Sequence, residues 1–273
     1  MSKSLTPNSL IRNPLIDDEP QNTKGTRSVH LSLQGKGGVG KSLIASFIAQ
    51  FFKTHGVHAI CIDTDPVNQT FSQYAALGAQ HLQLMEGNQI DRRRFDSLVD
   101  DIVATDESFI VDNGASTFIP LWHYMVENAV TSFLREANRR LVIHTVITGG
   151  QALADTLSGF KSLAESCESR SIVVWINEYF GTVERDGKKF NQMAAFLEHQ
   201  DKVAGTVHIP RFSPDTFGRD LEEMIARKLT FGEIAWATGF TLMSKQRLRM
   251  IQRELFEQLE TLNLLEARPS DAH

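Results

Sequence analysis

The run GKGGVGKS at Gly35–Ser42 constrains the fold of this chain more than any other part of its sequence. It matches the pattern G-x-x-x-x-G-K-[ST] without a gap. The stretch Val29–Gln34 before it is typical of a strand. After it, apolar residues recur at the spacing of one helical face: Ile44, Phe47, Ile48, Phe51 and Phe52. A glycine-rich loop between a strand and a helix predicts a binding site for phosphate groups.

The residue types in this loop explain how it would bind phosphate. Glycines let backbone N–H groups converge on phosphate oxygens, and the N-terminus of the following helix adds positive potential. Lys41 would contact the β- and γ-phosphates of a nucleoside triphosphate, and Ser42 would offer its hydroxyl to Mg²⁺. The residues expected to bind the nucleotide are Gly35, Lys36, Gly37, Gly38, Val39, Gly40, Lys41, Ser42 and Leu43.

Short β-rich segments alternate with helical patterns beyond residue 27. The further predicted strands are Val57–Asp63, Phe109–Asp112, Leu141–Thr148, Ser171–Asn177 and Val203–Ile209, and the predicted helices lie near Leu121–Asn138, Gln151–Ser166 and Lys189–His199. This alternation predicts an α/β fold with a doubly wound, mostly parallel sheet in three layers, as in P-loop NTPases. From about Thr216 only helices are expected. Ligands should lie at the carboxyl ends of the strands.

Length and composition limit the class of protein further. At 273 residues with 41% hydrophobic content, the chain can bury one large core, and we expect a single ATPase domain over 28–265 between disordered tails at 1–27 and 266–273. A net charge of −5 argues against a basic field over the whole protein but leaves a local basic patch possible. The two cysteines lack metal-site spacing, and no apolar run approaches ~20 residues. We therefore expect a protein of the reducing cytoplasm without a zinc site or a transmembrane segment.

Three aspartates are predicted to follow strands beside the loop. Asp63 and Asp65 are separated by one residue, so their side chains would point the same way on extended backbone. Asp112 ends the apolar run Phe109–Asp112, an arrangement that holds Mg²⁺ directly or through water in nucleotide-hydrolysing proteins. A strand-ending aspartate can also simply cap a turn, and this alternative is stronger for one residue than for the pair.

With the second lysine at Lys36, the loop resembles the deviant phosphate loop of the ParA/MinD family of dimerising ATPases. The resemblance implies ATP as the nucleotide and a homodimer in which Lys36 reaches the nucleotide of the partner subunit. It makes Asp65 the candidate for orienting the attacking water and Asp63 a nearby metal or switch contact. Lys36, Lys41 and Asp65 are thus the expected catalytic residues, and Ser42, Asp63 and Asp112 the expected metal contacts. A solvated loop lysine is the alternative for Lys36.

Three later segments also bear on this resemblance. Asn113–Ser116 lies where the family usually has a proline, which leaves the motion of this loop and the hydrolysis rate open. Asn177 ends a predicted strand, and its amide would suit the edge of an adenine. Pro210 belongs to a segment similar to the one that lines the base pocket in the family. The resemblance therefore implies base contacts at Asn177 and Pro210.

Several segments, including Ile62–Asn68, His144–Leu153 and Phe217–Asp220, resemble the TraL proteins of bacterial conjugation systems more specifically. The resemblance covers about residues 28–262. It implies an ATP-driven switch in conjugative plasmid transfer, with a protein of the conjugation machinery as partner. A partition ATPase that binds DNA nonspecifically, a nucleotide sensor with little hydrolysis and a ligase of the same fold remain alternatives. An iron–sulfur reductase is disfavoured by the positions of Cys61 and Cys167.

The C-terminal segment Met243–Leu265 is predicted to be the longest helix. Its apolar stripe comprises Leu248, Ile251, Leu255, Leu259 and Leu262. Its basic residues lie on the other faces and could contact DNA or an anionic membrane. A solvated face over a buried leucine stripe is the favoured interpretation.

Overall fold

The computed structural model describes residues 27–87 and 89–265, which form a seven-stranded sheet with helices on both faces. Every pairing within this sheet is parallel, and the order is β11-β8-β7-β1-β6-β2-β3. The strands are β1 (Ser28–Ser32), β2 (Ala59–Asp63), β3 (Gln80–His81), β4 (Met85–Glu86), β5 (Gln89–Ile90), β6 (Ser108–Asp112), β7 (Arg140–Thr148), β8 (Ile172–Asn177), β9 (Glu184–Arg185), β10 (Lys188–Lys189) and β11 (Val203–Ile209). The predicted three-layer fold is confirmed.

Helices cover the two faces of the sheet and give it two separate apolar cores. They are α1 (Lys41–Thr54), α2 (Arg92–Ala104), α3 (Phe118–Glu127), α4 (Val130–Glu136), α5 (Leu153–Ala164), α6 (Ala194–Leu197), α7 (Phe217–Ala226), α8 (Phe231–Ile234) and α9 (Leu242–Glu260). Residues of α1 and α7 to α9 pack in one core, and residues of α2 to α6 pack in the other. The central strands β1 and β6 are buried along their whole length, as expected for strands covered on both faces.

Helix α9 shows how an amphipathic segment docks on the sheet. Leu248, Ile251, Leu255 and Leu259 are buried, and Leu262, just beyond the helix, packs against the same core. The side-chain amide of Gln258 pairs with the backbone of His208 on β11, accepting from its N–H at 2.7 Å and donating to its carbonyl at 3.1 Å. The predicted leucine stripe is therefore the face that α9 buries. Gln258 supplies hydrogen-bond partners for the backbone N–H and C=O groups of His208 on the edge strand β11.

Several local predictions were wrong. The helix expected at Leu121–Asn138 is broken into α3 and α4, because Ala129 adopts a left-handed conformation with φ 49°. The helix expected at Lys189–His199 reduces to the four residues of α6, flanked by 3₁₀ turns. Helix α2, the edge strand β3 and the β4–β5 and β9–β10 hairpins were not predicted. The hairpin strands are only two residues long, too short for alternation to identify them.

The predicted tails fall almost entirely outside the described residues, so the proposed domain limits stay predictions. In the part of the chain that the structure describes, no helix is both long and apolar enough to cross a bilayer.

Candidate phosphate-binding site

Three neighbouring strands bring the predicted loop and acids to one edge of the sheet. Strand β6 lies between β1 and β2, with Ser32 of β1 and Asp63 of β2 both paired with Asp112 of β6. The chain segments that follow these strands therefore emerge side by side. Gly37 approaches the segment after β6, because a Cβ added to it would lie 3.9 Å from Ala115. The predicted site residues from three distant segments are thus brought together.

The loop after β1 is held in shape by its glycines and by two polar contacts. Gly40 precedes α1 with φ 107°, a conformation that side-chain-bearing residues rarely adopt. Lys41 opens the helix, is buried, and donates from Nζ to the carbonyl of Lys36 at 3.0 Å. Asn177 Nδ2 donates to the carbonyl of Val39 at 3.0 Å. The loop is therefore fixed at both ends, while Gly35–Gly38 remain exposed.

Asp112 is the most electrostatically perturbed acid at this edge. It is buried, and neither carboxylate oxygen has a hydrogen bond of standard geometry among the residues described, although the Ser42 hydroxyl is near enough to interact with it. Burial raises its pKa to about 7; Asp63 and Asp65 contribute to this rise, while the nearby Ser42 hydroxyl and Lys41 ammonium oppose it. Burial also lowers the pKa of Lys41, against the attraction of Asp112 and Asp65. The buried Lys41 ammonium and the buried Asp112 carboxyl thus lie beside the exposed glycine loop.

The carboxylates of Asp63 and Asp65 shape the segment after β2. Asp63 accepts from the N–H of Asp65 at 3.0 Å and from the N–H of Ser72 at 2.9 Å. Asp65 accepts from the N–H groups of Val67 and Asn68 through Oδ1, at 2.9 and 3.2 Å. Both acids therefore cap turns, the simpler role weighed from the sequence. For Asp63 this geometry favours a switch contact over direct metal binding.

Lys36 is exposed and forms an ion pair within its own chain. Its Nζ lies 2.7 Å from Oδ2 of Asp155 on α5. Beside this pair, a groove of about 840 Å³ runs between α3 and α5. Ile119 and Val126 line it and are 60% and 49% exposed. The second lysine thus borders a partly apolar surface.

Two Escherichia coli proteins, each named Protein TraL, share 46% and 45% identity with this chain over 238 residues. The matches span 87% of this chain and 99% of each relative. The chain belongs to the TraL family. No protein-family model matches it. A chain of the MinC:MinD cell division protein complex of Aquifex aeolicus is similar in structure, with a TM-score of 0.51 at 15% identity, covering 90% of this chain and 99% of that one. At this identity the likeness shows the fold, which is of the MinD type.

The remaining predicted contacts of this TraL-family chain also lie at the carboxyl edge. Asn177 ends β8 and Pro210 directly follows β11, next to it in the sheet. Both polar atoms of the Asn177 amide have a partner, since Oδ1 accepts from the N–H of Tyr179 at 3.1 Å and Nδ2 donates to the carbonyl of Val39. This geometry favours loop positioning over base reading by Asn177. Pro210 and Leu43 are half-buried, and their predicted nucleotide contacts stay predictions.

Sequence reasoning missed the residues that join the loops after β2 and β6. Asn113 is buried, and its Oδ1 accepts from Thr64 Oγ1 at 3.1 Å and from Thr117 Oγ1 at 2.6 Å. The N–H of Thr64 donates to the carbonyl of Asp112 at 2.8 Å. The unusual Asn113–Ser116 segment was noted in the sequence, but its partner Thr64 lies 49 positions away from Asn113. Local pattern could not reveal this connection.

The residues present suit Mg²⁺ bound together with a phosphate ligand. Asp112 supplies two unsatisfied buried oxygens, and the Ser42 hydroxyl is close enough to affect its pKa. Within 27–87 and 89–265, no cluster of three or more His, Cys, Asp or Glu side chains could hold a metal unaided. Mg²⁺ commonly takes only one or two protein ligands and completes its shell with phosphate oxygens and water. Ser42 and Asp112 would thus hold the ion.

Proposed function

We propose that this TraL-family chain binds ATP with Mg²⁺ at Gly35–Leu43 and hydrolyses it slowly to ADP and phosphate. One observation carries the proposal: the buried Lys41 and the unpartnered carboxyl of Asp112 meet at an exposed glycine loop that opens a helix. A buried carboxyl without a hydrogen bond is costly to the folded chain, and the buried Lys41 ammonium uses one of its three donors on the carbonyl of Lys36. A nucleotide with its metal would satisfy both, since the phosphates would bind Lys41 and the cation would bind Asp112.

The proposed reaction divides the work among residues of this edge. Lys41 and the loop amides would hold the β- and γ-phosphates, and Ser42 and Asp112 would hold Mg²⁺, which neutralises developing negative charge. Asp65 would orient the attacking water. Its carboxylate now accepts hydrogen bonds from Val67 and Asn68, so it would have to leave this turn to reach the water. We expect slow turnover because of that requirement. A partner that releases Asp65 from its turn would accelerate the reaction.

We further propose that ATP promotes a homodimer, with Lys36 acting on the partner subunit's nucleotide. The Lys36 side chain is 43% exposed, so it is accessible from outside. Ile119 and Val126 present apolar surface beside it, which a second copy would cover. The ion pair with Asp155 would break as the dimer forms. Because the pair is exposed, breaking it should be easy.

Membership of the TraL family supports a role in conjugative plasmid transfer in the bacterial cytoplasm, with a protein of the transfer machinery as partner. In this role the ATP-bound and ADP-bound forms would differ in shape, and the partner would bind one of them preferentially. Nonspecific DNA binding, as expected for a partition ATPase, is the competing proposal.

A nucleotide sensor with little hydrolysis is a second candidate, favoured by the hydrogen bonds that fix the two loops. Asp65 is held in its own turn, and Asn113 ties the loop after β6 to the loop after β2. If both loops keep these contacts with ATP bound, no carboxylate is free to orient water. ATP binding without phosphate release above background would identify the sensor.

Calorimetry with ATP and Mg²⁺ tests the proposal directly. Lys41→Ala should weaken ATP binding by about 100-fold or more, because it removes the buried cation that contacts the phosphates. Lys53→Ala is the matched control, since Lys53 lies at the other end of the same helix, where its Nζ donates to the carbonyl of Ala76. Equal ATP affinity for wild type and Lys41→Ala would refute the site. GTP in place of ATP tests the expected adenine preference.

A further inference from the structure

The corner between α8 and α9 presents three exposed large apolar side chains, including the two most exposed among the described residues. Trp236 is 89% exposed, Leu242 86% and Met243 61%. The segment that carries Trp236 is joined to the first turn of α9, because Lys245 donates from Nζ to the carbonyl of Ala235 at 3.0 Å. Single exposed apolar residues are ordinary, but a group of three at a turn marks an interaction surface.

The exposed face of α9 continues this surface for three turns. Leu242, Gln246, Arg249 and Arg253 follow one another on the face opposite the buried leucine stripe, and Met243 and Met250 flank them. Met250 is 40% exposed. Apolar and basic side chains are therefore mixed on one solvent-facing helix surface.

Basic residues predominate within the segment that forms this corner, although Glu223 lies close to Gly239 and Glu233 precedes Trp236 by one turn. Residues 235–253 contain Lys245, Arg247, Arg249 and Arg253 and no aspartate or glutamate. Arg247 is paired with Asp220 at 2.5 Å, while Arg253 has only a loose 3.9 Å contact with Glu257. Acidic side chains on α9 begin at Glu254, further along the helix. The segment 235–253 thus carries a net positive charge, although the whole chain carries a net charge of −5.

We propose that this corner, comprising Trp236, Leu242, Met243, Met250, Lys245, Arg249 and Arg253, binds the surface of an anionic lipid bilayer. Tryptophan, leucine and methionine would enter the headgroup region, and the basic side chains would contact lipid phosphates. DNA fits less well, because phosphate contacts would not bury the exposed Trp236 and Leu242 side chains. The attachment is peripheral and does not depend on the proposed nucleotide site.

Tryptophan fluorescence of the full chain with lipid vesicles tests the proposal. The chain has three tryptophans; Trp122 and Trp175 are 5% and 0% exposed, so a change on vesicle addition reports Trp236. Vesicles of phosphatidylcholine with phosphatidylglycerol should shift the emission to shorter wavelength and should carry the protein through a flotation gradient. Pure phosphatidylcholine vesicles should do so much less, and high salt should weaken the binding.

Variants separate the apolar and the basic contributions. Leu242→Gln with Met243→Gln should reduce vesicle binding by about tenfold or more, since both side chains would be buried in lipid. Arg249→Gln with Arg253→Gln should reduce binding to anionic vesicles and weaken its salt dependence. Leu197→Gln, which changes an exposed leucine on α6, should bind as wild type does. All these side chains are exposed, so unchanged circular dichroism melts are expected.

Three results would overturn the proposal. The first is an unchanged emission spectrum together with no flotation on any vesicle. The second is equal binding to neutral and anionic vesicles. The third is salt-sensitive binding of random-sequence duplex DNA with which vesicles do not compete. If Arg249→Gln with Arg253→Gln abolished this DNA binding and Leu242→Gln with Met243→Gln left it intact, the corner would be a nucleic-acid site instead.

Discussion

Two buried histidines allow a quantitative test of how the sheet is assembled. Trp175 Nε1 donates to His144 Nδ1 at 3.0 Å, so His144 carries its proton on Nε2 and donates it to His30 Nδ1 at 2.8 Å. His30 in turn donates from Nε2 to Ser28 Oγ at 2.9 Å. Both rings are therefore neutral links in one chain of hydrogen bonds across β8, β7 and β1. Protonating either ring would break this chain.

The pH dependence of stability follows from these buried rings. Burial lowers the pKa of His144 from 6.5 to about 3. Burial is also the main cause that lowers the pKa of His30 well below 6.5, and the neighbouring His144 ring lowers it further. The unfolded chain binds protons at these positions below pH 6.5, and the folded chain does not until much lower pH. Stability therefore falls as pH decreases through 6.5. Between pH 8 and pH 5, His144 should cost the folded state about 2 kcal/mol, and His30 adds a cost of the same sign.

Asp112 acts in the opposite direction over the same range. Burial raises its pKa to about 7, from 3.8, so the folded chain binds a proton there before the unfolded chain does. Its protonation stabilises the fold as pH falls, and partly conceals the effect of the histidines in the wild type. The informative quantity is thus the difference between wild type and a histidine variant, in which Asp112 cancels.

His144→Gln supplies this difference. A glutamine can accept from Trp175 and donate to His30, but it does not titrate. Urea unfolding of both proteins at pH 8 and pH 5 should show that the variant loses about 2 kcal/mol less than wild type on acidification. His123→Gln, at an exposed histidine of α3, is the control and should follow wild type. Equal losses in wild type and His144→Gln would refute the buried neutral chain.

Three further predictions concern the proposed site. Asp65→Ala should retain ATP binding, lose phosphate release and trap the dimer; monomer in gel filtration with ATP for both wild type and variant would contradict the switch. Asn113→Ala should lower the free energy of unfolding by about 1 kcal/mol, because it removes the side-chain link between the two loops while the Thr64 and Thr117 hydroxyls keep backbone carbonyl acceptors; an unchanged urea midpoint would show that this link contributes nothing. Asp155→Asn should release Lys36 and increase dimer formation at limiting ATP, measured by analytical ultracentrifugation; reduced dimer formation would assign Asp155 to the interface itself.

The parts of the fold that the sequence predicted are those with local signals. The phosphate loop is a continuous motif between a strand and a helix, and the buried strands are runs of apolar residues, so both were visible without tertiary information. The break at Ala129 was not visible, because alanine favours helix and the left-handed turn there depends on tertiary packing. The Lys36–Asp155 pair was missed for a similar reason, since its members are 119 positions apart.

The hydrogen bonds after β2 and β6 also change how the missing proline should be interpreted. Thr64 donates to the carbonyl of Asp112, and Gly114 lies so close to Asp65 that an added Cβ would be 2.9 Å from its carboxyl carbon. A small shift of the backbone at Asp112 must therefore move the turn that carries Asp65. A proline would stiffen the loop after β6 through its ring. In this chain Asn113 stiffens the same loop through hydrogen bonds, which can break and re-form. The departure from the ParA/MinD pattern is thus compatible with a switch, in which Mg²⁺ held by Asp112 together with the proposed nucleotide would act on Asp65 through these contacts.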